Sequence, residues 1–106
     1  MKRKVLIVED DSLLAEAAGD YFTSKGWEAE TEKDGARVLD VLRKKSFHLI
    51  LLDVMLPGMD GFGVCREIRK FCDVPVIFIT ARVLEEDVLN GYSLGADDYV
   101  AKPFSL

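Results

Sequence analysis

The chain has 106 residues, of which 49% are hydrophobic and 31% charged, a balance that excludes a disordered chain and predicts one domain over residues 1–106. Its 14 basic and 19 acidic residues give a net charge of −5, so we expect no direct nucleic-acid binding by this domain. No apolar run approaches the roughly 20 residues that cross a bilayer, and the first residues do not form a secretory signal, which favours a cytoplasmic protein without membrane contact.

Strand-like apolar runs alternate with helical patterns in the first half of the chain. Residues 4–8 predict a short strand, and residues 12–25 have the apolar spacing of a helix that ends at Gly26. The apolar residues that form one stripe along this helix are Leu13, Leu14, Ala17, Ala18, Tyr21 and Phe22. A second strand is predicted at 27–31 and a second helix at 36–45.

The second half continues this alternation. A continuously apolar strand is predicted at 48–52, and a turn-rich stretch at 57–61 leads into a third helix. The next apolar strand covers 76–79, and a short final strand covers 98–101. Between these two strands a fourth helix is predicted from the apolar positions Leu84, Val88, Leu89 and Tyr92.

The order βαβαβαβαβ predicts a doubly wound α/β fold, in which helices cover both faces of a parallel five-stranded sheet. The first, third and fourth strands are apolar throughout, as strands buried on both faces must be, whereas the second and fifth are mixed and suit the edges. With right-handed crossovers the predicted strand order is 2-1-3-4-5, because the order 3-2-1-4-5 would bury Glu28 and Glu30. Ligands are then expected beyond the carboxyl ends of strands 1 and 3, where the winding reverses.

Residues with complementary chemistry follow four strands at that edge. They are Glu9, Asp10 and Asp11 after the first strand, Asp53 after the third, Thr80 after the fourth and Lys102 after the fifth. Two carboxylates about 4 Å apart repel by roughly 4 kcal/mol at an effective dielectric constant near 20, a cost that a divalent cation removes. We predict Mg²⁺, which accepts few carboxylates together with water and phosphate oxygens. A spare carboxylate beside Mg²⁺ can attack phosphorus and form an acyl phosphate.

Each of these residues also has an ordinary structural explanation. Asp11 or Ser12 can cap the first helix, and Asp10 can do the same. Thr80 can cap the helix that follows it, and Asp53 alone would be a turn residue at a strand end. The prediction therefore rests on the combination at one edge and not on any single residue.

The two cysteines, Cys65 and Cys72, are too few for a disulfide framework. Together with the single His48 they lack the spacing of a zinc site. We therefore expect thiols that form no disulfide, as is usual in cytosolic proteins.

Five segments in chain order carry the chemistry described above. They are Val8-Glu9-Asp10-Asp11, residues 52–61 (Leu-Asp-Val-Met-Leu-Pro-Gly-Met-Asp-Gly), Ile79-Thr80-Ala81-Arg82, Gly95-Ala96-Asp97-Asp98-Tyr99 and Lys102-Pro103-Phe104. This combination spans nearly the whole chain and resembles the receiver domain of two-component response regulators, most closely the winged-helix transcription-factor branch. The resemblance implies a flavodoxin-like fold with the strand order predicted above.

The resemblance also implies roles at the acidic edge. Asp53 is then the phosphoacceptor, and Asp10 and Asp53 bind Mg²⁺ directly. Glu9 acts on the ion through water, and Met55 supplies its backbone carbonyl.

Three further residues have implied roles in phosphorylation and switching. Lys102 pairs with Asp53 and then with a phosphoryl oxygen, and Thr80 hydrogen-bonds another phosphoryl oxygen. Tyr99 turns inward into the space that Thr80 leaves.

The resemblance implies a sensor histidine kinase as phosphoryl donor, with docking on the first helix around Leu13, Leu14 and Ala17. It also implies a homodimer on phosphorylation, and control of transcription through an effector domain outside these residues. The protein is then no enzyme towards other substrates and catalyses only its own phosphorylation and dephosphorylation. Because the chain ends at Leu106, where the family's fifth helix begins, we expect that helix to be missing.

The sequence fits three other functions less well. A Mg²⁺-dependent phosphatase with an aspartyl-phosphate intermediate commonly has a second aspartate two residues after the nucleophile, where this chain has Met55. A flavodoxin-like cofactor binder needs a phosphate loop after the first strand, where Glu9 and its acidic neighbours would repel phosphate. A receiver-like module that only binds proteins has no need of Asp53, Thr80 and Lys102 together.

Overall fold

The structure is a computed structural model that describes residues 2–56, 59–80 and 98–101. Within these residues it contains seven strands and three helices. In chain order they are β1 (Lys4–Val8), α1 (Ser12–Ser24), β2 (Glu28–Glu32), α2 (Gly35–Lys44), β3 (Leu49–Asp53), β4 (Met55–Leu56), β5 (Met59–Asp60), α3 (Gly61–Arg69), β6 (Val76–Thr80) and β7 (Asp98–Ala101).

The described strands form one five-stranded sheet and one small hairpin. The sheet has the order β2-β1-β3-β6-β7, with every neighbouring pair parallel, which confirms the predicted order 2-1-3-4-5. The two strands with mixed composition, β2 and β7, are the edges, as predicted. The antiparallel hairpin of β4 and β5 was not predicted: β5 lies in the stretch 57–61 that the sequence predicted only as turn-rich, and β4 directly precedes that stretch.

Apolar side chains are buried on both faces of the sheet. On one face Leu6, Leu52 and Phe78 pack with side chains from α2 and α3. On the other face Val5, Ile7, Leu51 and Ile79 pack against residues of α1. Because the central strands are covered on both sides, their apolar composition follows directly from the fold.

The apolar stripe of α1 is only partly buried. Ala15, Ala18 and Phe22 are its buried residues, whereas Leu13 is 77% exposed and Ala17 is also exposed. The helix has more apolar residues than one buried face needs, so part of the stripe, including Leu13 and Ala17, faces solvent. The buried residues Ala15, Ala18 and Phe22 are three and four positions apart, so they also fit the periodicity of an α-helix.

The other sequence predictions agree closely with the described elements. Predicted boundaries lie within one residue of those observed in most cases, and the predicted final strand at 98–101 coincides with β7. Cys65 is buried in α3, Cys72 is half-buried, and neither is in a disulfide. The predicted fourth helix, which includes Leu84 and Tyr92, lies outside the described residues. Within the described part of the chain, every helix is too short or too polar to span a membrane.

Candidate functional site

Three carboxylates from adjacent strands converge at the carboxyl edge of the sheet. Glu9 and Asp10 directly follow β1, and Asp53 is the last residue of β3. One oxygen from each side chain lies within 4.8 Å of the others. Glu9 and Asp53 are each only 1% exposed, whereas Asp10 is exposed. The pairing of β1 with β3 therefore brings together the acidic residues that the sequence singled out.

The chemistry of this cluster fits the divalent cation that the sequence predicts. The three ligand groups are all carboxylates, so the donors are hard oxygens of the kind that Mg²⁺ prefers over nitrogen or sulfur. Two of the carboxylates are buried, where their mutual repulsion is screened less than at the surface. Exposure of Asp10 leaves the cluster accessible to water and to an incoming ligand.

Backbone hydrogen bonds hold Asp53 from both sides. Its Oδ1 accepts the Met55 N–H at 2.9 Å. The following N–H, that of Val54, donates to the Ile79 carbonyl at 3.0 Å, and the Val54 carbonyl accepts the Gly61 N–H at 2.8 Å. The backbone of Val54, the residue after Asp53, is thus attached to β6 through its N–H and to the start of α3 through its carbonyl.

Gly61 permits the close approach of α3 to this peptide. A Cβ atom at Gly61 would lie 2.2 Å from the Asp53 carbonyl oxygen and 2.7 Å from Val54 Cα. A Cβ atom at Gly63, two residues later, would meet nothing within 4 Å. Gly61 was not among the predicted site residues, because the sequence indicates a turn there but contains no signal for the space behind a glycine.

The structure separates the role of Asp11 from that of Asp10. Asp11 is the N-cap of α1, and its Oδ1 accepts the Leu13 N–H at 3.0 Å and the Leu14 N–H at 3.3 Å. The Asp11 N–H in turn donates to Glu9 Oε2 at 3.3 Å. The capping explanation that the sequence left open therefore applies to Asp11, whereas Asp10 belongs to the carboxylate cluster.

The loop after β2 also reaches this edge of the sheet. The Glu9 N–H donates to the Glu32 carbonyl at 3.1 Å, and Lys33 Nζ donates to Ser12 Oγ at 3.1 Å. Lys33 therefore places a cation beside the first turn of α1. The sequence does not predict the position of Lys33 near this edge, since an exposed lysine after a strand has no distinguishing pattern.

The remaining predicted site residues are described only by backbone position or not at all. Ile79 pairs with Asp53, so Thr80 occupies the next position along the neighbouring strand β6. Tyr99 pairs with Phe78 in β7, and Ala101 pairs with Thr80. Lys102 lies outside the described residues, one position after the end of β7.

Exposed apolar side chains flank the acidic edge. Leu13, in the first turn of α1, is 77% exposed, and Met55, two residues after Asp53, is 61% exposed. Leu14 is half-buried and Ala17 is exposed on the same helix. These positions are accessible to another protein.

The sequence matches one family model and several characterised proteins. Residues 5–106 match the model described as "Response regulator receiver domain". The chain is 44% identical over 102 residues to the transcriptional regulatory protein BaeR of Escherichia coli O6:H1, covering 96% of this chain and 42% of that protein. It is 41% identical over 106 residues to the transcriptional regulatory protein RprY of Bacteroides fragilis, covering 99% of this chain and 45% of that protein. The chain thus spans less than half the length of these relatives.

Solved structures share the fold over nearly the whole chain. The BeF₃-activated N-terminal receiver domain of Klebsiella pneumoniae RstA aligns with a TM-score of 0.91 and 29% identity, covering 97% of this chain and 88% of that one. A putative response regulator from Chloroflexus aurantiacus aligns with a TM-score of 0.93 and 30% identity, covering 99% and 88%.

Proposed function

The chain belongs to the response regulator receiver domain family, and on that premise we propose that it accepts a phosphoryl group on Asp53 in the presence of Mg²⁺. The observation that carries the proposal is the convergence of Glu9, Asp10 and Asp53 within 4.8 Å at the carboxyl edge of the sheet. A receiver domain is a signalling domain, so phosphorylation serves to change its state and not to process a separate substrate.

The proposed reaction is the transfer of a phosphoryl group to the Asp53 carboxylate. One carboxylate oxygen attacks the phosphorus, a new O–P bond forms, and the bond from phosphorus to the donor breaks. The donor nitrogen or oxygen leaves with the bonding electron pair. The Met55 N–H binds Oδ1 of Asp53 and so helps to hold the carboxylate in position.

Asp10 and Asp53 would hold Mg²⁺ directly, with Glu9 acting through water and the Met55 carbonyl as a further ligand. When bound, the ion offsets the negative charge of the carboxylates and of the phosphoryl oxygens. The buried position of Glu9 supports a role within the cluster, because a carboxylate at 1% exposure is costly unless a cation or hydrogen bonds compensate it.

Three further roles rest on the family resemblance. We propose that Lys102 pairs with Asp53 and later with a phosphoryl oxygen, and that Thr80 hydrogen-bonds a second phosphoryl oxygen. A phosphoryl group brings nearly two negative charges, and we propose that the chain after β6 shifts so that Lys102 and Thr80 compensate them. Tyr99 then turns inward, and the domain changes population between two packings.

The proposed partners follow from the same family. A sensor histidine kinase donates the phosphoryl group, the phosphorylated domain forms a homodimer, and an effector domain beyond these residues controls transcription. The names of the relatives, both transcriptional regulatory proteins, support this last role.

Labelling with acetyl phosphate and Mg²⁺, measured by intact mass, tests the proposed acceptor. We expect the unaltered protein to gain one phosphoryl group and Asp53→Asn to gain none, because an amide is not a competent nucleophile. Asp60→Asn is the matched control, since Asp60 only caps α3 through the Phe62 N–H and asparagine caps equally well. Equal labelling of Asp53→Asn and the unaltered protein would rule out Asp53.

A charged substitution at the exposed start of α1 tests whether the kinase docks around Leu13, Leu14 and Ala17. We expect Leu13→Glu to slow transfer from the sensor kinase by about tenfold, since burying a leucine contributes roughly 1.5–3 kcal/mol. Labelling by acetyl phosphate should stay unchanged, because the carboxylate cluster is intact. Thr23→Glu, at an exposed position near the other end of α1, serves as the control. Equal losses with both donors would refute a docking role for Leu13.

A further inference from the structure

A strongly positive surface lies at the opposite end of the sheet, where β1 and β3 begin. An open cleft of about 480 Å³ is lined by Lys2, Lys4, Lys44, Lys45, Ser46 and His48. The lining thus holds four ammonium groups, an imidazole and a hydroxyl, and it includes no carboxylate among the described residues. We call it the lysine cleft. Its composition stands out because the whole chain has a net charge of −5.

Only part of this positive charge is balanced by nearby carboxylates. Lys45 Nζ lies 2.6 Å from Glu30 Oε1, and Lys4 Nζ lies 3.8 Å from Glu28 Oε2. Lys2 and Lys44 form no ion pair within the part of the chain that the structure describes. Two uncompensated ammonium groups therefore share the cleft with two compensated ones.

Helix stabilisation accounts for only some of these residues. Lys44 is the last residue of α2, where a cation interacts favourably with the carbonyl end of the helix. Lys4 is the first residue of β1 and Lys2 precedes this strand, so the helix effect does not explain either residue. The start of β1 and the end of α2 bring the four lysines to one cleft.

His48 contributes a hydrogen-bond donor to the same cleft. Its Nδ1 accepts the Lys4 backbone N–H at 3.0 Å, and its own backbone N–H donates to the Lys4 carbonyl at 2.8 Å. A neutral imidazole with Nδ1 as acceptor carries its proton on Nε2. The side chain therefore offers an N–H donor beside the ammonium groups and the Ser46 hydroxyl.

We propose that the lysine cleft binds a compact, multiply charged phosphate anion of the class of pyrophosphate. Ammonium groups with a hydroxyl and an imidazole N–H provide donors for several phosphate oxygens at once. The cleft volume lies within the range of small-molecule sites.

The overall charge favours a compact anion over a nucleic acid. An adjoining cleft of about 510 Å³, lined by Lys2, Arg3, Lys25, Gly26 and Trp27, extends the positive surface. A long phosphate backbone would still pass beyond these clefts and meet the field of a chain with net charge −5. A small anion responds mainly to charges within the screening length of about 8 Å.

Titration of the ¹⁵N-labelled protein with inorganic pyrophosphate, followed by NMR, tests the proposal. Divalent cations are removed first, so that a metal complex cannot draw the anion to the carboxylate cluster. We expect the largest shifts at residues 44–48 and at Lys4, with saturation. Lys2→Gln and Lys44→Gln should each weaken binding by about threefold, because each removes one unit charge near the anion. Arg66→Gln removes the same charge from an exposed position on α3 and should leave the affinity unchanged.

The results of this titration distinguish an anion site in the lysine cleft from a nonspecific effect of charge and from nucleic-acid binding. Shifts confined to the cleft together with the two weakened variants support the proposal. No saturable shift, or an equal loss in Arg66→Gln and Lys44→Gln, overturns it. Tighter binding of a duplex DNA than of pyrophosphate at equal phosphate concentration also overturns it, in favour of nucleic-acid recognition. None of these results depends on phosphorylation of Asp53.

Discussion

Replacement of Gly61 by alanine is expected to destabilise the fold by about 3 kcal/mol, a large effect for one added methyl group. The new Cβ atom would lie 2.2 Å from the Asp53 carbonyl oxygen, and the contacted atoms belong to the backbone and cannot rotate away. Either α3 or the Asp53–Val54 peptide must shift, and the hydrogen bond from the Gly61 N–H to the Val54 carbonyl is lost or lengthened. Urea unfolding followed by circular dichroism measures the change in the free energy of unfolding.

Gly63→Ala provides a matched control within the same helix. Nothing lies within 4 Å of a Cβ atom at Gly63, so only the intrinsic helix preference changes. We expect this variant to gain about 0.5–1 kcal/mol, the usual advantage of alanine over glycine in a helix. Similar stabilities for the two variants would contradict the close packing of α3 against Asp53.

Neutralising Asp10 is expected to remove the stabilisation of the protein by Mg²⁺. A hundredfold excess of an ion over its dissociation constant stabilises a folded protein by about 2.7 kcal/mol, a rise on the order of 10 °C in Tm for a small domain. Asp10→Asn takes one carboxylate from the cluster of three, so most of this rise should disappear. Without Mg²⁺ the variant should be at least as stable as the unaltered protein, because the repulsion between the carboxylates is reduced.

Asp11→Asn makes the same charge change at the adjacent position. Asp11 caps α1, and asparagine is an equally good cap, so the helix should be unaffected. The rise in Tm with Mg²⁺, measured by differential scanning calorimetry, should be kept in this variant. If the rise in Tm with Mg²⁺ were lost equally in both variants, Mg²⁺ binding would depend on net charge and not on a site that includes Asp10.

The sequence was sufficient to predict the fold because the composition of each strand reflects its place in the sheet. Continuously apolar strands are central and strands with glutamates are edges, which explains why the order 2-1-3-4-5 could be derived before any coordinates. The convergence of the carboxylates follows from the same order, since residues that end adjacent parallel strands must meet. The apolar residues of α1 exceed one buried face, so the sequence alone does not determine which of them contact the sheet.

Features that depend on space or on tertiary contact could not be predicted. The tight contact at Gly61 depends on the path of α3, and the hydrogen bond between His48 and Lys4 joins residues 44 positions apart. The lysine cleft has the same origin, because its lysines belong to separate segments of the chain. Such features have no local pattern, so they appear only once the strands are aligned.

Acceptance of a phosphoryl group would convert the carboxylate of Asp53 into an acyl phosphate. Borohydride reduction of the protein after treatment with acetyl phosphate and Mg²⁺ converts a phosphorylated aspartate to homoserine, which peptide mass spectrometry locates. Phosphorylation of Asp53 predicts homoserine at position 53, and none in a sample treated without Mg²⁺. Homoserine at position 10 or 11, or a stable phosphate on a serine, threonine or histidine, would contradict it.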